Sequence, residues 1–191
     1  MDNPYILKRS SRRTIGLSLD RDGNVIVRAP YACPKSAIDR FVRENEAWIL
    51  RRREQIGKDS AAAEAEGRLS GEDIKRLADE MVRILPDKLS LFAARLGVTY
   101  GRVTVRNQRS KWGSCTAKGN LNFNCLLLLA PEEVLDYVIV HELCHLRHMD
   151  HSKEFWAEVV SLDPDHKAHR KWLREHGGAL MKRAEAAKED A

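Results

Sequence analysis

No run in the chain approaches the ~20 consecutive apolar side chains that a membrane-spanning helix requires, which excludes that class of protein. The opening Met1-Asp2-Asn3-Pro4-Tyr5 lacks the apolar core of a secretory signal, so the expected location is the cytoplasm. Cysteine is sparse. Cys33, Cys115, Cys125 and Cys144 form no Cys-x-x-Cys pair and no dense framework, so reduced thiols are expected rather than a disulfide scaffold. The basic groups Lys8-Arg9, Arg12-Arg13 and Arg51-Arg52-Arg53 are short and carry no interleaved aromatics suited to stacking on bases. With acidic residues nearly balancing them, they read first as a solvated basic face, and a nucleic-acid partner stays open.

What is present is a chain of 191 residues, 43% hydrophobic and 32% charged, with a net charge of +5. That is enough apolar material for one core, or one core with a small appended lobe. Residues 14–28 alternate on either side of Asp20-Arg21-Asp22-Gly23 and predict a hairpin. From Ser36 the positions Ile38, Phe41, Val42, Trp48 and Ile49 recur at helical spacing, and Arg51-Arg52-Arg53 suits the helix's C-terminal end. The glycine-bounded stretch 57–71 reads as a linker or exposed insertion. A helix with Ile74, Leu77, Met81 and Leu85 on one face follows, kinked or restarted at Pro86 and carried on to Gly97. Residues 98–106 and 120–124 alternate as strands. Between them lies Trp112-Gly113-Ser114-Cys115, unusual for a plain turn, although a plain hairpin connection stays open. A helix begins at Pro131, with Glu132 and Glu133 in its first turn. A last helix carries Trp172 and Leu173 as far as Gly177-Gly178 and gives way to a polar tail.

The chemistry concentrates in Val140-His141-Glu142-Leu143-Cys144-His145 and the histidines that follow. Histidines four apart on a helix project from one face, so His141 and His145 can meet one small cation. Zinc accepts imidazole nitrogen at about 2.0–2.1 Å, and a catalytic site keeps three protein ligands and one open position. Glu142 leans over the same face as a candidate base. Ten residues of straight helix would carry His151 about 15 Å from His141. The chain must therefore turn back, and Met149-Asp150 is where it can. His151 is the preferred third ligand, with His148 and Glu154 as alternatives. Cys144 points away from the His141–His145 face and reads as core. The apolar run Val134–Val140 predicts a buried helix, whose polar groups need partners.

The series Arg109-x-x-Trp112-Gly113-Ser114-Cys115, Asn122-x-Asn124, the run from Leu135 to Leu146, and His151-Ser152-x-x-Phe155-Trp156 resembles the YgjP-like metallopeptidase domain, a family similar to the SprT and Spartan-type zinc proteases. Arg12–Ile15, Arg28-Ala29-Pro30 and the segment from Asp163 to Leu173 extend the resemblance over nearly the whole chain. Longer members of that family carry further strands where this chain has only 57–71. The resemblance implies an α+β fold of the zincin type, a small antiparallel sheet packed on helices that include the His-Glu-x-x-His helix. The residue patterns divide the chain into a hairpin and helix (1–56), a linker or insertion (57–71), a catalytic domain (72–180) and a polar tail (181–191). The resemblance supplies the chemistry. It implies one zinc per chain on His141, His145 and His151, with Glu142 as the base that activates water against a peptide or protein substrate. Arg109, Trp112, Asn124 and Tyr137 are candidate substrate or oxyanion contacts. Two other classes stay open: a nucleotide or phosphoester hydrolase using the same metal, and a DNA-associated binding module with a structural zinc. The structural zinc would need a fourth protein ligand.

Overall fold

The computed structural model describes residues 5–185. Met1–Pro4, most of the stretch that lacks a secretory signal's apolar core, and the tail beyond Glu185 lie outside the described residues. The chain divides between Ala61 and Ala62 into two compact units. Of its 33 Lys and Arg and 28 Asp and Glu, residues 1–61 hold 13 and 8, and residues 62–191 hold 20 of each. The whole positive surplus therefore belongs to the first unit.

In the first unit the alternation of residues 14–28 becomes β2 (Gly16–Leu19) and β3 (Val25–Pro30), paired antiparallel. Asp20 closes the turn by accepting from the backbone N–H of Asp22 and of Asn24, at 3.0 and 2.8 Å. Strand β1 (Ile6–Ser10) adds to the other edge of β3 in parallel. Val25, Val27 and Ala29 point inward with Tyr5 and meet Ile38 and Ile49. The single helix expected from Ser36 is two, α1 (Lys35–Glu44) and α2 (Glu46–Glu66). Asn45 breaks it, its side-chain amide donating back to the Phe41 carbonyl at 2.8 Å. Arg51–Arg53 consequently lie inside α2 rather than at a helix end. Nor is 57–71 an unstructured linker throughout, since α2 runs through it to Glu66. Four alanines between Ala61 and Ala65 favour helix enough to outweigh Gly57, whose penalty is about 1 kcal/mol.

The second unit opens with α3 (Gly71–Leu96), started by a reciprocal Ser70–Asp73 capping box and ended by left-handed Gly97 (φ +64°). Pro86 does not interrupt it. The proline is exposed, while Met81, Leu85, Leu89, Phe92 and Leu96 bury one stripe along the whole length. Strands β4 (Val103–Arg106), β5 (Gly113–Cys115) and β6 (Leu121–Asn124) form a sheet ordered β4-β6-β5. The sheet is mixed rather than antiparallel. β5 and β6 form a hairpin, but the chain leaving β4 crosses to the far edge before entering β5, leaving β4 parallel to β6. Only the end of 98–106 is strand, because the Val98 N–H is taken by the Ala93 carbonyl at the end of α3 and the Gly101 N–H by Gly119.

A 3₁₀ turn (Cys125–Leu129) leads into α4 (Glu132–Cys144), buried on almost every side. Lys88 of α3 ties down its start by pairing with Glu132 and, at 2.7 Å, with Asp136. Helix α5 (Lys153–Leu162) folds back on it, and α6 (His166–Arg183) packs against it. Gly177-Gly178 does not stop α6. A Cβ on Gly177 would stand 2.7 Å from Cζ2 of Trp112, so this glycine is the seat of an indole. Among the described residues no helix is long and apolar enough to cross a membrane.

Candidate metal centre

Helix α4 carries His141 and His145 one turn apart and stops immediately afterwards. The N–H groups of Leu146, Arg147 and His148 close on the carbonyls of Leu143 and Cys144, so the chain tightens rather than extends. The Asp150 carboxylate then accepts from the Ser152 N–H at 3.1 Å, and the Ser152 hydroxyl caps α5 by accepting from Phe155 N–H. This reversal at Met149-Asp150 returns His151 to the other two. One ligand atom from each of the three histidines lies within 4.8 Å of the others, and Nε2 of His141 and of His151 are 3.2 Å apart. Two nitrogens at zinc-bonding distance around a tetrahedral centre are about 3.3 Å apart. The residues present thus fit such an ion.

Other features fix the imidazoles. His145 Nδ1 faces the His148 carbonyl at 2.9 Å, which places a proton there and leaves Nε2 free to ligate. The buried Phe155 ring stands 4.6–4.9 Å from all three imidazole centres. Burial, followed by the charges of His145, His151 and Arg170, lowers His141 to about 3. Burial likewise lowers His151, again with help from His145 and Arg170. These rings are therefore neutral donors at ordinary pH.

The alternatives for a ligand are engaged elsewhere. His148 Nε2 turns to Glu158 at 3.6 Å, and Glu154 is exposed and outside the cluster. Cys144 is fully buried in the core, its thiol pushed up to about 12 by burial and by Glu158. Among the described residues no fourth His, Cys, Asp or Glu joins the three.

Glu142 is 5% exposed, and its Oε2 is buried without a hydrogen-bond partner. Burial raises its carboxyl to about 7, against the opposing effects of Lys111 and of the Cys115 N–H that donates to it. The Trp-Gly-Ser-Cys run packs around this carboxylate and against α6. Trp112 seats on Gly177. A Cβ on Gly113 would come within 2.6 Å of Glu142 Cγ and Oε1, so the glycine leaves room for the carboxylate. Cys115 supplies the backbone donor. Gly113–Cys115 is a strand built around Glu142 rather than a plain turn.

The candidate substrate contacts separate. Tyr137 is 5% exposed, its ring edge-on to His141 at 5.8 Å, and burial raises its hydroxyl. Trp112 is half-buried against α6. Arg109 is exposed on the loop before β5, and among the described residues no contact joins it to the histidines. Asn124 has its amide engaged within the fold. It is fully buried, its amide NH₂ donates to the carbonyls of Gln108 and Lys111 at 3.0 Å each, and its oxygen accepts from Leu126 N–H. It shapes the loop that carries Lys111. Sequence reasoning missed Lys111, His169 and Arg170. The last two were visible only as polar residues spaced i, i+3 and i+4 with His166 on α6.

A buried helix presenting paired histidines, a returning third and an adjacent buried carboxylate is an arrangement that could hold a metal ion. The sequence profile of the YgjP-like metallopeptidase domain matches residues 13–81 and 72–176. The chain belongs to the YgjP-like metallopeptidase family, and its α+β arrangement is the one that resemblance implied. No curated protein matches it. Among solved structures, the metallopeptidase zymogen of Pyrococcus abyssi abylysin is similar at 26% identity, covering 48% of this chain and 94% of that one with a TM-score of 0.43. The metallopeptidase zymogen of Methanocaldococcus jannaschii jannalysin is 20% identical over 47% and 90%, with a TM-score of 0.40.

Proposed function

We propose that this protein is a zinc-dependent peptidase, with one zinc on His141, His145 and His151 and with Glu142 as general base. The observation that carries the reading is the convergence of three imidazole donors within 4.8 Å, beside a buried carboxyl, in a chain of a metallopeptidase family. Three imidazoles suit zinc, and a fourth position without a protein ligand is what a catalytic rather than structural site requires. Zinc in such a site lowers the pKa of water and polarises a carbonyl.

The chain's own residues supply the rest. Glu142, raised towards 7, is matched to taking a proton from the attacking water and returning it to the leaving nitrogen near neutral pH. The Cys115 N–H and the space over Gly113 hold the carboxylate in place. Phe155 and Tyr137 wall the histidines with apolar surface, which strengthens electrostatic interactions inside the site. The substrates are peptides or proteins.

The test pairs metal analysis of protein purified without added metal with hydrolysis of casein and of a panel of nucleoside triphosphates. About one zinc per chain with casein cleavage, and E142Q that keeps zinc but loses turnover, is the expected result. E142Q that hydrolyses as fast as the wild type overturns the mechanism, and hydrolysis of triphosphates alone moves the protein to the phosphoester class.

A further inference from the structure

The first turns of α6 form one side of the centre. His166 and Arg170, one turn apart, both lie against Trp156, with the His166 ring centre 5.5 Å and the Arg170 guanidinium carbon 5.3 Å from the indole centre. The same indole lies nearly parallel to His151 at 5.8 Å and edge-on to His141 at 5.9 Å. Arg170 is exposed, and among the described residues no carboxylate pairs with it. Asp163, seven residues before it, is engaged by His169 at 2.9 Å.

A fixed cation held on the indole that flanks imidazoles able to gather a divalent cation repels that cation. An anion seated between the two reverses the effect, since both charges then attract it. We propose that Arg170 is a catalytic residue, the anion-binding arm of this centre, whose guanidinium receives the oxygen that gains negative charge as the substrate reacts. The inference rests on the metallohydrolase reading above. The shared chemistry is a tetrahedral oxyanion, carbonyl-derived in a peptide or phosphoryl in a phosphoester. Stacked on an indole and forked in geometry, a guanidinium suits that task better than an ammonium.

Inorganic phosphate is the probe, titrated by calorimetry into wild type, R170K and R170Q, each with and without added zinc. Elemental analysis and thermal unfolding are run on the same samples. Phosphate binding about tenfold or more weaker in R170Q, intermediate in R170K, with zinc content and unfolding midpoint unchanged, is expected. With casein or a fluorogenic peptide, kcat should fall roughly 10²–10³-fold in R170Q while KM changes little, the usual cost of removing one oxyanion donor. Equal phosphate affinity in wild type and R170Q, or no phosphate binding by any of the three, overturns the proposal. Failure of the zinc reading shows separately, as protein that takes up no metal, while the zinc-free phosphate comparison still tests Arg170. Triphosphate turnover that depends on Arg170 identifies the phosphoryl source instead of the carbonyl one.

Discussion

Replacing Glu142 by glutamine should stabilise the metal-free protein at pH 8 while ending hydrolysis. A carboxyl whose folded pKa lies above its unfolded value holds its proton more tightly when folded, so stability falls as pH rises between the two. For Glu142 that window runs from 4.5 to about 7. At 1.36 kcal/mol per pH unit the loss amounts to about 3 kcal/mol once the group is fully ionised. The residue is 5% exposed, so solvent screens little of this. The substituted glutamine would keep the shape and the acceptor for the Cys115 N–H but would never ionise. His141 works in the opposite sense, because its pKa is lowered from 6.5 to about 3 and stability lost on acidification returns as pH rises through that range. That contribution is common to both proteins and cancels in their difference. Thermal unfolding after chelation should therefore give midpoints that nearly coincide at pH 4. At pH 8 they should separate by roughly 6–12 °C in favour of E142Q, taking about 2–4 °C per kcal/mol for a chain of this size. Zinc should narrow the gap at pH 8, since a neighbouring cation favours the carboxylate. A gap independent of pH, or E142Q the less stable at pH 8, would refute the reasoning.

Two glycines give further tests. G113A places a methyl 2.6 Å from Glu142 Cγ and Oε1, so it should displace the base, lower stability by about 1–3 kcal/mol and cut turnover far more than zinc binding. Turnover within twofold of wild type, measured beside zinc content, would contradict the role given to Gly113. G177A should be destabilising by about 1–3 kcal/mol despite alanine's better helix propensity, because the new methyl meets Trp112 at 2.7 Å. Denaturant unfolding that shows stabilisation would mean the indole moves aside freely.

What can be read from the sequence is whatever depends on local geometry. His141, Glu142 and His145 share one helical turn by spacing alone, and His151 is preferred over His148 and Glu154 on the condition that the chain turns back at Met149-Asp150, as it does. The β2–β3 hairpin declares itself through its Asp-Gly turn. What stays hidden depends on partners distant in sequence. β4 lies parallel to β6 because the intervening loop, held by the Asn124 amide, carries the chain across the sheet, and no local pattern encodes that crossing. Gly177 looks like a helix stop until Trp112 is placed against it, and Gly113 looks like part of a hairpin connection until Glu142 is. The helical run through 57–66 escapes a reading that weights an isolated glycine above neighbouring alanines. The break at Asn45 escapes one that follows the apolar stripe alone, because the stripe continues across it. Nothing in the sequence signals that the Asn124 amide is buried and taken up by the Gln108 and Lys111 carbonyls and the Leu126 N–H.

The most direct test of the three-histidine centre is the zinc content of wild type, H151A and H148A after dialysis against metal-free buffer, measured by elemental mass spectrometry. About one zinc per chain in wild type and H148A, with H151A retaining little or none, is the predicted result. Zinc retained in full by H151A, or lost from H148A instead, would contradict that centre.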